Sequence, residues 1–399
     1  MTQNSKTPKI RFAGFTDDWE QRKLGDIADF NPKAELPEVF EYVDLESVVG
    51  TEMIFHREET KITAPSRAQR LAQFGDLFYQ TVRPYQRNNY LFEKTDNTYV
   101  FSTGYAQMRP NIDGYLLLSF VQTDLLVKAV LDRCTGTSYP AINANDLAEM
   151  EVRIPPLRHE QEQIGAYFRN LDNLITLHQR KLSKLNNIKK AMLEKMFPQN
   201  GKNVPEIRFA GFTDAWEQRK LSQLGSIITG STPSTQVKAY YSENGIPWVT
   251  PTDISDNVTF RTAKHITNEG QKVARVVPKN TILVTCIASI GKNTMLGTTG
   301  SFNQQINGLL PNEKENHPYF LLAESTLWSD KMKRTAASGT MQIVNKTEFS
   351  EIDTYVPPLD EQKLIGEYFQ NLDNLITLHQ RKLDKLMNIK KSMLEKMFV

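Results

Sequence analysis

The sequence predicts an α+β protein: two globular domains separated by a pair of long, antiparallel, coiled-coil-like helices, with an internal pseudo-two-fold repeat. Three observations carry this. Two segments recur almost unchanged, the longer one bears an apolar stripe at helical spacing, and the stretches between them mix strand-like runs with turns and short helical patterns.

The repeat sets the frame. Residues 8–24 read PKIRFAGFTDDWEQRKL and residues 205–221 read PEIRFAGFTDAWEQRKL, differing only at Lys9 against Glu206 and Asp18 against Ala215. Residues 168–197 and 369–398 differ only at Arg169 against Gln370, Ser183 against Asp384, Asn186 against Met387 and Ala191 against Ser392. Upstream, IPPLRHEQEQIGAYF matches VPPLDEQKLIGEYF with one inserted residue. The middles, 25–153 and 222–355, are of similar length and share no run that aligns by eye. Frames kept alike around unlike middles imply one scaffold task and two different recognition tasks. The boundaries follow: a first domain at 1–153, a helical region at 154–200, a second domain at 201–355 and a second helical region at 356–399.

Both thirty-residue repeats read as helices. Leu171, Ile175, His178, Leu182, Leu185, Ile188, Met192 and Met196 recur at steps of three and four, and Leu372, Ile376, His379, Leu383, Leu386, Ile389, Met393 and Met397 repeat them. No Gly or Pro interrupts either run, and Pro155–Pro156 and Pro357–Pro358 stand before the helices, where the chain is still extended. A single apolar stripe needs a partner. Two repeats related by a two-fold axis pair their helices antiparallel, with Leu171, Ile175, Leu182, Leu185, Met192, Leu372, Ile376, Leu383, Leu386 and Met393 on the seam. His178 and His379 on that stripe are expected to be packed side chains rather than metal ligands. Arg180, Lys181, Lys184, Lys189, Lys190 and Lys195 read as a solvated face, the alternative being a face set beside a phosphate backbone or a protein partner.

In the first domain, residues 77–82 and 98–102 read as strands and 115–130 as helical. In the second, 281–288 and 248–254 read as strands and 319–332 as a helix, and antiparallel strand pairing is expected in both domains. Several loops carry groups that hydrogen-bond base edges or phosphates. The candidates are Arg83, Tyr85, Arg87, Asn88, Asn89 and Tyr139 in the first domain. In the second they are Ser231, Thr232, Ser234, Lys292, Asn293, Thr340, Gln342 and Lys346. Thirty helical residues span roughly 45 Å. One turn of B-DNA is about 34–36 Å, so two domains held that far apart suit two patches on one DNA face.

Composition narrows the classes. With 48 Lys and Arg against 46 Asp and Glu the net charge is only +2, so DNA binding has to rest on local charge or on partner subunits. Cys134 and Cys286 lack metal-ligand spacing and are expected to be buried free thiols. The polar start and a longest apolar run of only residues 281–290 point to a cytoplasmic protein without a membrane span. Catalytic motifs are missing. Asn31–Pro32 continues as Lys33–Ala34, which breaks the methyltransferase tetrapeptide, and Gly291–Lys292 is followed by Asn293, with Cys286 where a phosphate loop needs its first Gly. No catalytic residue, metal site or cofactor of the chain's own is expected.

On these residues the chain closely resembles the specificity subunits of type I restriction–modification systems: the paired frames, the lead-in IRFAGFTD-x-WEQRKL, and the GSTPS to IPWVTPTDI stretch at 230–254. The resemblance covers essentially the whole chain and implies a non-catalytic DNA-recognition subunit. Two target-recognition domains would each bind half of an interrupted, asymmetric site on double-stranded DNA, and the paired helices would set the spacer. Two methyltransferase subunits would bind this scaffold, joined by two ATP-driven restriction subunits. S-adenosylmethionine, ATP and magnesium would belong to those partners. The alternatives are a self-contained metal-dependent nuclease using Asp44, Glu59 and Lys61, or a scaffold whose domains bind proteins.

Overall fold

The computed structural model describes residues 6–96, 98–136, 138–199, 201–337 and 343–399. Contacts divide the chain into two compact units, Met1–Gln179 with Arg381–Val399, and Arg180–Gln380. Each long helix contributes one end to each unit.

In the first unit the lead-in strand Glu20–Lys23 pairs antiparallel with Glu151–Ile154, Glu20 opposite Ile154, so the domain closes where the chain reaches Pro155. One sheet runs Ala28–Phe30, Tyr105–Pro110, Leu77–Gln80, Tyr90–Leu91, and the other Arg57–Thr60, Val39–Val43, Tyr99–Ser102, Ala68–Leu71. Phe78 and Phe101 stack with ring centroids 3.6 Å apart. Helices Gly114–Val121 and Asp124–Leu131 follow. The sequence suggested one helical stretch at 115–130. It is broken because the Thr123 hydroxyl accepts the Leu126 N–H at 3.3 Å and starts a new helix.

The second unit repeats this plan. Glu217–Lys220 pairs with Asp353–Val356, Glu217 opposite Val356. One sheet runs Gly225–Thr229, Ile306–Pro311, Ile282–Thr285, Asn293–Leu296, Val258–Thr259, and the other Tyr241–Ser242, His265–Ile266, Ile246–Val249, Gly300–Phe302, Val276–Val277. Strand for strand the first four of one sheet and the last four of the other match the first unit. The unalignable middles therefore share one topology.

Two strand expectations need correction. Pairing is not purely antiparallel: Val39–Val43 runs parallel to Tyr99–Ser102, Ile246–Val249 parallel to Gly300–Phe302, and Val258–Thr259 parallel to Asn293–Leu296. The connections between these strands are long enough to return in the same direction. Strands also end earlier than their apolar runs. Ile282–Thr285 stops before Ala288, which turns the chain at φ 62°, and Ile246–Val249 stops because Asp253 accepts the Thr250 N–H at 2.9 Å in a tight turn.

The long helices are Arg158–Lys195 and Leu359–Lys396. They begin ten residues before the thirty-residue repeats at 168 and 369, just after the proline pairs, since nothing beyond Pro156 or Pro358 breaks a helix. In the first unit Phe168 meets Phe398 at 5.7 Å, and Asp172 pairs with Lys390 at 2.5 Å. Residue numbers rise along one helix as they fall along the other, so the segments are antiparallel. In the second unit Phe197 meets Phe369 at 5.8 Å and Lys189 pairs with Asp373 at 2.7 Å, repeating the arrangement. The seam is shallower than its pattern suggests. Leu171, Leu372 and Leu383 are buried, while Ile175, Leu182, Leu185, Met192, Ile376, Leu386 and Met393 are half-buried, as befits two strands of helix with water on both flanks. The deepest packing lies at the helix ends. Phe398 packs with Trp19 and Phe120 in the first unit, and Phe197 with Trp216 and Phe320 in the second.

Candidate nucleic-acid interface

The repeated frame turns out to be the mounting of each domain on its helix. Arg11 of the lead-in segment makes a paired contact with the buried Glu160, at 2.6 and 2.8 Å, and Arg208 makes the same contact with Glu361 at 2.6 and 2.8 Å. The hydrogen bonds to Glu160 hold the Arg11 guanidinium above its usual pKa. The Gln of the EQ pair serves the proline pair before it: Gln161 Nε2 donates to the Pro155 carbonyl and Gln362 Nε2 to the Pro357 carbonyl, each at 2.9 Å. Three positions after Glu162 and Lys363 stand Gly165 and Gly366. A Cβ there would collide with the side chain of Asp113 or of His317, so glycine lets the domain sit this close to the helix without displacing them. Tyr115 and Tyr319 complete the mounting, each donating at 2.9 Å to a helix aspartate, Asp172 or Asp373. Burial, with that carboxylate beside it, pushes both phenols up.

Mounted this way, each domain presents the loops that follow its central strand. In the first, Arg83 is half-buried in a left-handed conformation, with its guanidinium 4.3 Å over the ring of Tyr139. Tyr139 is 64 % exposed and Tyr85 48 %. The other candidates of this domain are engaged internally. Arg87 donates to the Gln122 carbonyl at 2.9 Å and pairs with Asp124. Asn88 Oδ1 accepts the Gly50 N–H, and the buried Asn89 accepts the Gln80 N–H, both at 2.9 Å.

In the second domain Ser231 Oγ accepts the Arg275 N–H at 2.8 Å and Thr232 bonds Gln304, while Ser234 is exposed. Lys292 reaches the Pro251 carbonyl at 3.4 Å, and Asn293 donates to Ser325 at 2.8 Å. Lys346 opens the helix Lys346–Ser350 on the surface. Thr340 and Gln342 lie outside the described residues. Beside these loops is an open cleft of about 490 Å³ lined by Trp248, Thr250, Asp253, Lys264, Asn303 and Gln305 among others. Lys264, Asn303 and Gln305 were not legible in the sequence because Lys264 lies on one loop and Asn303 and Gln305 share another, with no spacing to link the two.

The residues considered for a nuclease are otherwise occupied. Arg57 pairs with Asp44 and Glu59, each at 2.9 Å, and Lys61 with Glu38 at 3.7 Å. Burial would raise the Asp44 carboxyl, but Ser47 and Arg57 more than offset it and hold it below its usual value. Among the described residues no group of three His, Cys, Asp or Glu could hold a metal ion. Cys286 is buried, whereas Cys134 is only half-buried, in contrast to the expectation for both. No single helix is long and apolar enough to cross a membrane among the described residues.

Comparison with known proteins agrees with this architecture. The family described as type I restriction modification DNA specificity domain matches twice, at residues 16–187 and 213–388. The type I restriction enzyme HindI specificity subunit of Haemophilus influenzae is 23 % identical over 444 residues, covering 90 % of this chain and 95 % of that protein. A putative type I restriction enzyme MjaX specificity subunit of Methanocaldococcus jannaschii is 24 % identical, covering 70 % of this chain and 65 % of its own length. The crystal structure of a type I restriction–modification S subunit from M. genitalium shares the fold, with a TM-score of 0.69 at 14 % identity over 98 % of this chain and 99 % of that one.

Proposed function

The chain belongs to the type I restriction–modification DNA specificity family, two copies of which it carries, and from that premise we propose how it divides the work. Each domain reads one half of an interrupted, asymmetric site on double-stranded DNA, the first through residues 25–153 and the second through residues 222–355. The paired helices fix the spacer between the halves and dock two methyltransferase subunits, which two restriction subunits join. The chain itself carries out no catalysis, and methyl donor, nucleotide and magnesium are held by the partners. It works in the cytoplasm, where that DNA is.

The observation that carries the reading is the contrast inside the duplication. Mounting contacts are copied residue for residue, Arg11–Glu160 as Arg208–Glu361 and Asp172–Lys390 as Asp373–Lys189, while the loops at the far end of the same topology differ. A duplicated mounting with unlike loops suits two readers of different sequences. Docking is supported by leucines off the seam. Leu174 and Leu177 are 43 % and 45 % exposed, and Leu375 and Leu378 are 44 % and 45 % exposed, one helical turn apart in each copy.

The test is to express the chain with its methyltransferase subunits in a methylation-free host and sequence the methylome. The expected mark is a two-part, non-palindromic motif with a fixed gap. A continuous motif, or methyl transfer by the purified chain alone, contradicts the proposal.

A further inference from the structure

Two loops without common sequence hold the same unusual backbone at the same point of the fold. Arg83 at φ 54° and Ala288 at φ 62° are both left-handed. Each directly follows a residue in an isolated bridge, Val82 to Ala141 and Ile287 to Ile343, just beyond the central strands Leu77–Gln80 and Ile282–Thr285. Non-glycine side chains seldom adopt this conformation, and where the fold enforces it the position tends to be functional.

Several arginines of the first domain spend their charge on carboxylates; Arg83, like Arg70, does not, and of these two only Arg83 rests on an aromatic ring among the described residues. Arg87 is satisfied by Asp124, Arg109 by Asp76 and Arg57 by Asp44 and Glu59. Arg83 has no carboxylate partner among the described residues, and its Nε is shut from solvent without a hydrogen-bond acceptor. Its guanidinium rests over the exposed Tyr139 ring, 4.3 Å from the centroid, and this contact holds it in place. An unpaired, oriented fork is built for a ligand offering two acceptors in a plane.

Two acceptors of DNA fit such a fork, a phosphate and the O6/N7 edge of guanine. The duplication favours the base. A phosphate contact serves every sequence and would recur at the matching position of both domains. The matching residue is Ala288, which donates nothing. We propose that Arg83, steadied on Tyr139, is the specificity-determining residue of the first domain and reads a guanine in the first half-site. This rests on the reading of the chain as a DNA specificity subunit.

The experiment uses the full chain with its methyltransferase subunits and two variants. Arg83→Gly deletes the side chain and accepts the left-handed turn without strain. Arg83→Lys keeps the charge and loses the fork. Both are expected to leave the second half-site intact and to make one base pair of the first half-site degenerate, discrimination there falling about tenfold to a hundredfold. The Lys variant should also keep the salt dependence of wild-type binding. A uniform loss of affinity on all sequences by Arg83→Gly, with the salt slope reduced by about one, identifies a phosphate contact and overturns the proposal. An unchanged motif in both variants overturns it too, while the wild-type two-part mark still stands. Absence of that mark in wild type instead overturns the underlying reading. Should Arg83→Gly not fold, the Lys variant decides alone: a native motif refutes, a motif relaxed at one position supports.

Discussion

Glu324 occupies in the second unit the place that Phe120 holds in the first. Each follows by five positions the tyrosine that bonds a helix aspartate, Tyr319 to Asp373 and Tyr115 to Asp172. Phe120 packs on Phe398, whereas Glu324 is completely buried and accepts a hydrogen bond from Thr354, which in turn accepts from Trp328 Nε1 at 3.0 Å. The first unit has Val152 at the register position of Thr354.

The second unit should therefore lose stability as pH rises. Burial pushes the Glu324 carboxyl from 4.5 up to about 8. Below 4.5 folded and unfolded chains are both protonated, so the protonated carboxyl carries no penalty. Between those values only the folded chain holds the proton, so stability falls with rising pH and levels off above about 8. Glu324→Gln, which mimics the protonated form, should flatten that slope, gaining on the order of a few kcal/mol at pH 8 and little at pH 4.5. Urea unfolding followed across that range checks it; equal slopes for variant and wild type would be contrary.

The ion pair of the frame is expected to matter through what its loss leaves behind. Glu160 is fully buried and Arg11 nearly so. Glu160→Ala strands the guanidinium and should cost roughly 3–5 kcal/mol, whereas Arg11→Met with Glu160→Leu should recover most of it. Denaturant melts of the single and double variants measure both.

Packing should be most costly to disturb at the helix ends. Phe398 is 7 % exposed and touches Trp19, Phe120 and Phe168. Phe398→Ala is expected to cost roughly 3–5 kcal/mol, and Leu182→Ala, on the half-buried seam, below about 2 kcal/mol. The reverse order in thermal melts would place the strength of the pairing mid-helix.

Much of this was legible because the chain carries its own comparison. Two copies of IRFAGFTD-x-WEQRKL and of the striped helix disclose the frame, and the steps of three and four give the helix and its seam face. The reason for the frame was not legible, since Arg11 meets Glu160 across 149 positions. Nor was the common topology of the middles, because sheet pairing needs only alternation of apolar residues and many sequences supply it. Arg83 and Arg87 look equivalent in RPYQRNNY; only the fold brings Asp124 to one and Tyr139 to the other.

A half-chain of residues 1–199 should dimerise. The segment 381–399 that completes the first unit is repeated at 180–198, with Ser183 for Asp384, Asn186 for Met387 and Ala191 for Ser392 in the matched run. Each copy can supply the other's missing segment, more weakly where Asn186 replaces Met387. With methyltransferase subunits the dimer should mark an interrupted palindrome of the first half-site, at close to the native spacing. Sedimentation and methylome sequencing decide this; a folded monomer, or a dimer marking the asymmetric site, speaks against it.

Independent reading by the two domains is tested most directly by exchange. Residues 25–153 are replaced with the corresponding middle of a related subunit of known target, the chain is expressed with its methyltransferase subunits, and the methylome is sequenced. One half of the motif should change to that of the donor while the other half and the gap stay as they were. A change in both halves, or in neither, would contradict the account.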